Sequence, residues 1–232
     1  MVPIYGLQKT TLLDYSPYLA STIFFGHCNL RCPYCQNYEL ITPDSKLAAI
    51  SSEEIFSHLR KRKHLLEGVC ITGGEPTLYK GLPEFIRKIK ELGYLIKLDT
   101  NGTNPSMLGE LMDKHLIDYV AMDIKNSREQ YGKTVGLPGM PLSAIEDSVS
   151  LLTNSDLSYE FRTTLVKEFH TEDDLLAIGE WLQGDSSYYL QNFRDSDTVH
   201  EKQLHSFTHE ELLRFLQLLL PYLPNTKIRG NF

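Results

Sequence analysis

An α/β fold on a parallel sheet is the class this sequence predicts, and three observations predict it. Apolar, β-branched runs of strand length alternate six times with stretches spaced for helices. Capping residues and breakers separate them, and polar loops leave the ends of the runs. Such loops gather at the carboxyl ends of parallel strands. The periodicity fits a partial (β/α)6 barrel and an open doubly wound sheet equally well. With 232 residues, 41% of them hydrophobic, the chain can bury a sizeable core and reads as a single domain, 1–232. A net charge of −7 argues against nucleic-acid binding, leaving room only for a local basic patch. The apolar runs are too short to span a bilayer, and Met1-Val2-Pro3-Ile4 lacks the features of a signal peptide, so a cytoplasmic protein is expected.

Taken in order, Gly6 to Tyr15 has no clean period and reads as an irregular or short-strand lead-in, and Leu19 to Phe25 is the first strand. Ser51-Ser52-Glu53-Glu54 resembles a capping box and opens a helix from about 52 to 66 carrying Ile55, Leu59 and Leu66. Its Arg60-Lys61-Arg62-Lys63 run reads as a solvated face. Val69 to Thr72 is a buried strand. Leu82, Phe85, Ile86 and Ile89 mark one helix face, and Tyr94 to Asp99 is the next strand. Asn104-Pro105 supplies the cap and first turn of a helix reaching about His115. Ile117 to Met122 and Leu157 to Val166 are strands around a helix marked by Ile145, Val149 and Leu152. Thr171 caps a helix with Leu175, Ile178, Gly179 and Leu182 on one face, and Tyr188 to Leu190 is the sixth strand. Thr208-His209-Glu210-Glu211 is a second capping box, before an apolar helix that Pro221 ends. The connection from Lys125 to Pro141, with Gly132, Gly136 and Gly139, is a candidate mobile loop.

The chemistry concentrates after the first strand. Cys28, Cys32 and Cys35 are spaced C-x3-C-x2-C on a loop leaving that strand. A closed zinc site wants four ligands, and no C-x2-C pair lies downstream to complete one. A cubane iron–sulfur cluster is usually held by four thiolates, so three would leave one iron open for a ligand. Clustered cysteines in a reducing compartment favour metal over disulfides. Cys70, inside an apolar run, reads as core. His27 lies beside the cysteine loop, and a zinc reading would recruit it. His58, His64, His115, His200, His205 and His209 show no ligand-like spacing.

These residues resemble the signature of the radical S-adenosylmethionine (SAM) enzymes, C-x3-C with an aromatic before the last cysteine, where Tyr34 stands. The resemblance implies a partial (β/α)6 barrel and a [4Fe-4S] cluster on Cys28, Cys32 and Cys35. It also implies SAM on the open iron, cleaved reductively to a 5′-deoxyadenosyl radical. Gly73-Gly74-Glu75-Pro76, one β/α unit later, resembles the motif that holds the amino group of SAM's methionine; by itself it would be only a turn. Gly6 to Tyr15 resembles the start of activating proteins for anaerobic ribonucleoside-triphosphate reductase, although Ser16-Pro17 stands where that subgroup commonly continues with Pro-Gly.

That resemblance implies a glycyl-radical enzyme as partner and an electron donor such as flavodoxin or ferredoxin. It places Asp99, Thr100 and Asp123 at a monovalent cation, and Asn101 and Lys125 near the cofactor's polar groups. Arg162, in a strand that otherwise wants apolar residues, must leave the sheet or meet an anion, because an unpaired buried charge is costly. The resemblance assigns it to SAM's carboxylate or ribose, and Gln191, at the end of the sixth strand, to the ribose or adenine. Two rivals are a pyruvate formate-lyase activase of the same compactness and a non-catalytic zinc or iron–sulfur module.

Overall fold

The computed structural model describes residues 2–41, 47–199 and 201–230, so His200 lies outside the described residues. The elements run β1 (Ile4–Thr11), β2 (Ala20–Phe25), α1 (Tyr38–Ile41), α2 (Ser52–Arg62), β3 (Gly68–Gly73), α3 (Leu82–Glu91), β4 (Leu95–Thr100) and α4 (Pro105–Asp113). They continue with β5 (Tyr119–Asp123), α5 (Tyr131–Thr134), α6 (Ser143–Thr153), β6 (Ser158–Leu165), α7 (Glu172–Leu182), β7 (Ser187–Asn192), α8 (His209–Leu219) and β8 (Thr226–Arg229). The fold is α/β, and its eight strands follow chain order in a mostly parallel sheet. The chain folds into two compact units, one of Met1–Asn29, Asn37–Ala121 and Ala144–Ser158, the other of Leu30–Gln36, Met122–Ser143 and Tyr159–Phe232.

In the first unit β2, β3 and β4 are parallel, pairing Ala20 with Gly68 and Gly68 with Leu95. Ile23, Val69, Ile71, Ile96 and Leu98 are fully buried in these strands, as are Ile55 and Leu59 of α2 and Ile86 and Ile89 of α3. Phe25 meets Phe85 edge-on at 5.7 Å. Each such side chain contributes about 1.5–3 kcal/mol by leaving water. The N-caps form at Ser51, whose Oγ accepts from Glu54 N–H at 3.1 Å without a reciprocal bond from the Glu54 side chain, and at Asn104, whose Oδ1 accepts from Met107 N–H at 3.2 Å. Cys70 is fully buried in β3, as its core reading expects.

In the second unit β6, β7 and β8 are parallel. Phe161, Leu165, Tyr188 and Leu190 are buried, as are Leu175 and Ile178 of α7 and Leu212 and Leu219 of α8. The alternate positions, Glu160, Arg162, Tyr189, Gln191 and Arg229, are polar. Arg229 grips Glu160 with two N–H···O bonds of 2.5 and 2.7 Å and stacks over Tyr189 at 3.7 Å. Thr171 and Thr208 each close a reciprocal capping box.

Three expectations need correction. Eight strands stand where six were expected. The lead-in forms β1, which runs antiparallel to β2, and β8 is a four-residue strand too short to stand out beside Pro224. Helix α2 ends at Arg62 rather than near 66. Only the first half of the connection expected to be a mobile loop is packed: Asn126, Ser127, Tyr131, Thr134 and Val135 are buried, with Tyr131 opening the short helix α5 and Val135 capping it, whereas Gly136, Pro138, Gly139 and Pro141 are exposed.

Candidate active site

In the first unit the exits of β2, β3 and β4 meet around one carboxylate. Glu75 is 1% exposed and accepts from Thr77 N–H at 3.1 Å, Thr77 Oγ1 at 2.5 Å, Thr100 Oγ1 at 2.8 Å and Asn101 N–H at 2.6 Å. Burial pushes Glu75 above the usual carboxylate range, and these donors offset part of the push. The two glycines before it allow a close backbone approach. A Cβ on Gly74 would lie 2.0 Å from His27 O, and one on Gly73, at φ +118°, would lie 2.2 Å from Phe25 O. Their neighbour is therefore the start of the cysteine loop. Glu75 N–H bonds His27 O at 2.8 Å, and Asn37 Nδ2 donates to Gly73 O at 3.0 Å.

Asn101 ties this arrangement to the first cysteine. Its Nδ2 donates to Cys28 Sγ at 3.8 Å and to Asn29 Oδ1 at 3.1 Å. Hydrogen bonds to a ligating sulfur are one of the means by which a protein sets a cluster's potential. Thr100 is engaged with Glu75, and Asp99 pairs with Lys97 at 3.4 Å. His27 is exposed, with its ring edge-on to Tyr5.

In the second unit the exit of β5 and the middle of β6 carry an ion triad. Asp123 Oδ2 accepts from Lys125 Nζ at 2.8 Å, and its Oδ1 accepts from Arg162 Nε. Burial alone would raise Asp123, but Arg162 and Lys125 beside it outweigh burial and hold it well below the usual range. Burial would lower Lys125, yet Asp123 leads the groups that carry it well above its ordinary value. Arg162 has met the anion that the sequence required of it. Gln191 is half-buried in β7, in register with Thr164 of β6 and Arg229 of β8.

The cysteine loop's later part, Leu30–Gln36, belongs to this unit. Arg31 N–H bonds Val135 O at 2.9 Å, and Gln36 Nε2 donates to Arg194 O at 3.2 Å. Tyr34 is 4% exposed, its ring 5.8 Å from Phe169 and edge-on to His170 at 6.5 Å. Its hydroxyl is buried with no hydrogen-bond partner, a state that a ligand atom or water would relieve.

By chemistry, cysteine thiolates are the donors that a cubane cluster takes. Cys28, Cys32 and Cys35 form no disulfide, and the structure shows an N–H donor at the Cys28 sulfur. Among the described residues no three His, Cys, Asp or Glu are grouped to hold a single metal ion. The thiolates of a cubane each take a different iron, so its ligation does not call for such a group.

Sequence reading missed four side chains that hold the loops in place. Asn37 fixes Gly73, His170 and Asn126 join the loops after β5 and β6, and Asp174, in the first turn of α7, receives Ser127 Oγ. Polar residues with no motif around them carry no signal of their own. Only His170, in a chain with eight histidines, could have been asked about.

Residues 22–182 match the Radical SAM superfamily. The chain is 31% identical over 230 residues to a candidate glycyl-radical enzyme activating enzyme of Methanocaldococcus jannaschii, covering 97% of this chain and 94% of that one. It is 26% identical to the pyruvate formate-lyase-activating enzyme of Clostridium pasteurianum, covering 90% and 98%. In fold it is similar to a domain of a pyruvate-formate lyase-activating enzyme from Bacteroides vulgatus, with a TM-score of 0.58, 18% identity and coverage of 71% of this chain and 99% of that one. Among the described residues no helix is long and apolar enough to cross a membrane. With the three cysteines, the aromatic before the last of them and the Gly-Gly-Glu-Pro turn all inside the matched span or at its strand exits, the chain belongs to the radical SAM superfamily, whose chemistry implies a [4Fe-4S] cluster and SAM.

Proposed function

We propose that this protein activates a glycyl-radical enzyme, and that its partner is an anaerobic ribonucleoside-triphosphate reductase. The observation that carries the activase reading is the end-to-end similarity to the Methanocaldococcus jannaschii protein of that description. The reductase is favoured by the resemblance of Gly6 to Tyr15 to that subgroup of activators. A second reading, activation of a pyruvate formate-lyase, is favoured by the Clostridium pasteurianum relative, which this chain matches over nearly its whole length.

When bound, the cluster and SAM supply one-electron reductive cleavage of a sulfonium, and the protein orients them and excludes competing reactions. Cys28, Cys32 and Cys35 are the cluster's ligands in this reading. Asn101 donates to the Cys28 sulfur. Gly73, Gly74, Glu75 and Pro76 form the turn that receives SAM's amino group, the Glu75 carboxylate holding the turn in shape through its four donors. Tyr34 and the triad of Asp123, Lys125 and Arg162 are polar groups fixed before any ligand arrives, so little reorganisation is needed when one binds. A flavodoxin or ferredoxin supplies the electron, and the cytoplasm is the reducing compartment that suits three clustered thiols.

The test is anaerobic incubation of reconstituted protein with SAM, a reductant and either candidate partner, read by electron paramagnetic resonance. A glycyl radical on the reductase supports the proposal, and one on the formate-lyase moves it to the second reading. Cleavage of SAM with a radical on neither would end the activase assignment.

A further inference from the structure

His170 is 2% exposed and follows β6 by a short turn. Its Nε2 lies 2.9 Å from Lys125 O. A carbonyl only accepts, so Nε2 carries the proton. In that neutral tautomer Nδ1 accepts from Val166 N–H at 3.1 Å, with Val166 O 3.2 Å from the same nitrogen. Burial pulls His170 below the ordinary histidine range, which favours the neutral ring.

Two bridges lie nearby. Asn126 Nδ2 donates to Phe169 O at 2.7 Å in the same loop and to Thr134 Oγ1 at 2.8 Å, and Ser127 Oγ donates to Asp174 Oδ1 at 2.9 Å in the first turn of α7. Of these bridging side chains, His170 is the one that also meets the cysteine loop, edge-on to Tyr34. It therefore touches both the residue before Cys35 and the backbone of the Asp123-Ile124-Lys125 motif. The carbonyl it holds belongs to the residue whose ammonium grips Asp123.

We infer that His170 is a positioning residue of the cofactor site, setting the Lys125 backbone, and through it the Asp123–Lys125–Arg162 triad, for SAM. A ring that kept the loops together for stability alone would duplicate Asn126. A ring that sets the triad has an effect on cofactor affinity which Asn126 does not share. The inference rests on the superfamily's cofactor chemistry and not on which protein receives the radical, so it is tested with no partner present.

Three variants separate the roles. His170→Asn keeps an acceptor for Val166 N–H but is too short to reach Lys125 O. His170→Gln reaches Lys125 with an N–H. Asn126→Ala removes a neighbouring bridge and leaves Lys125 O and Tyr34 untouched. Each is reconstituted to equal iron content. SAM affinity is measured by equilibrium dialysis, the SAM-induced change in the reduced cluster's electron paramagnetic resonance is recorded, and thermal unfolding is followed without cluster.

His170→Asn should weaken SAM binding about tenfold, the scale seen when a residue supporting a ligand shell is lost, and should diminish the spectral change. His170→Gln should stay within about threefold of the native affinity, and Asn126→Ala should lower the unfolding temperature with SAM affinity unchanged. Equal affinities in His170→Asn and His170→Gln would overturn the inference. So would losses of affinity that follow the unfolding temperature across all three variants, or a loss of fold in His170→Asn.

Discussion

Two carboxylates, the buried Glu75 and the half-buried Asp123, stand at strand exits in this protein, and the protein satisfies them in opposite ways. Glu75, after β3, is held by four neutral donors; Asp123, at the end of β5, is held by two cations. Burial raises both, but only Asp123 has charges near enough to reverse the effect. Neutral donors fix the shape of a turn, whereas cations fix a charge state. The Glu75 region is thus a scaffold for its loop, and the Asp123 region is a preset electrostatic site.

The largest expected effect comes from breaking the charged region. Arg162 and Lys125 have side chains only 14% and 16% exposed, so Asp123→Ala leaves two cations buried together. Removing one partner from a buried pair costs about 3–5 kcal/mol, to be read by thermal or denaturant unfolding without cluster. A loss under about 1 kcal/mol, the value of an exposed pair, would mean that water screens the triad.

Glu75→Gln should cost less, about 1–3 kcal/mol. The amide nitrogen must face either Asn101 N–H or the donors of Thr77 and Thr100, and one buried donor is left opposed. No loss of stability here would mean that the four donors do not all engage the carboxylate.

Acidity sharpens the contrast because the two groups have opposite slopes. Asp123 is depressed when folded, so its contribution is present above the unfolded value of about 3.9 and is lost as pH falls through the lower folded value. Glu75 is raised, so its contribution is full below the unfolded value of about 4.3 and is lost as pH rises through the higher folded value. Asp123→Asn should flatten the acid limb of a stability profile, and Glu75→Gln should remove a decline above it. If each variant altered the other's limb, the assignment would be reversed.

The smallest effect calibrates the rest. Thr208→Ala removes a surface cap whose hydroxyl accepts from Glu211 N–H at 3.2 Å, and should cost about 1 kcal/mol with the acid limb unmoved.

Much of this arrangement is legible in the chain itself. Strands β2 to β5 announce themselves through apolar runs and β6 and β7 through apolar–polar alternation, and Thr171, Thr208 and Asn104 announce helices through local side-chain chemistry. The strand β1 is legible only as one of two readings of the lead-in, since only its ends are buried and Gln8 to Thr10 faces water, leaving no alternation to find. The strand β8 is too short for any period. The triad is half legible: Arg162 in a strand demands an anion, but nothing local says that the anion is Asp123, 39 residues earlier.

By itself, then, the sequence determined the class of fold, the helix starts, the three thiols and the turn that follows them, because each depends on residues within one turn or one strand of each other. Tertiary structure alone decided that Glu75 meets neutral donors, that Asp123 meets cations, and that His170 reaches the Lys125 carbonyl 45 residues away. Those outcomes depend on which strand exits become neighbours. Strand pairing brings residues together across chain distances over which no periodic pattern persists.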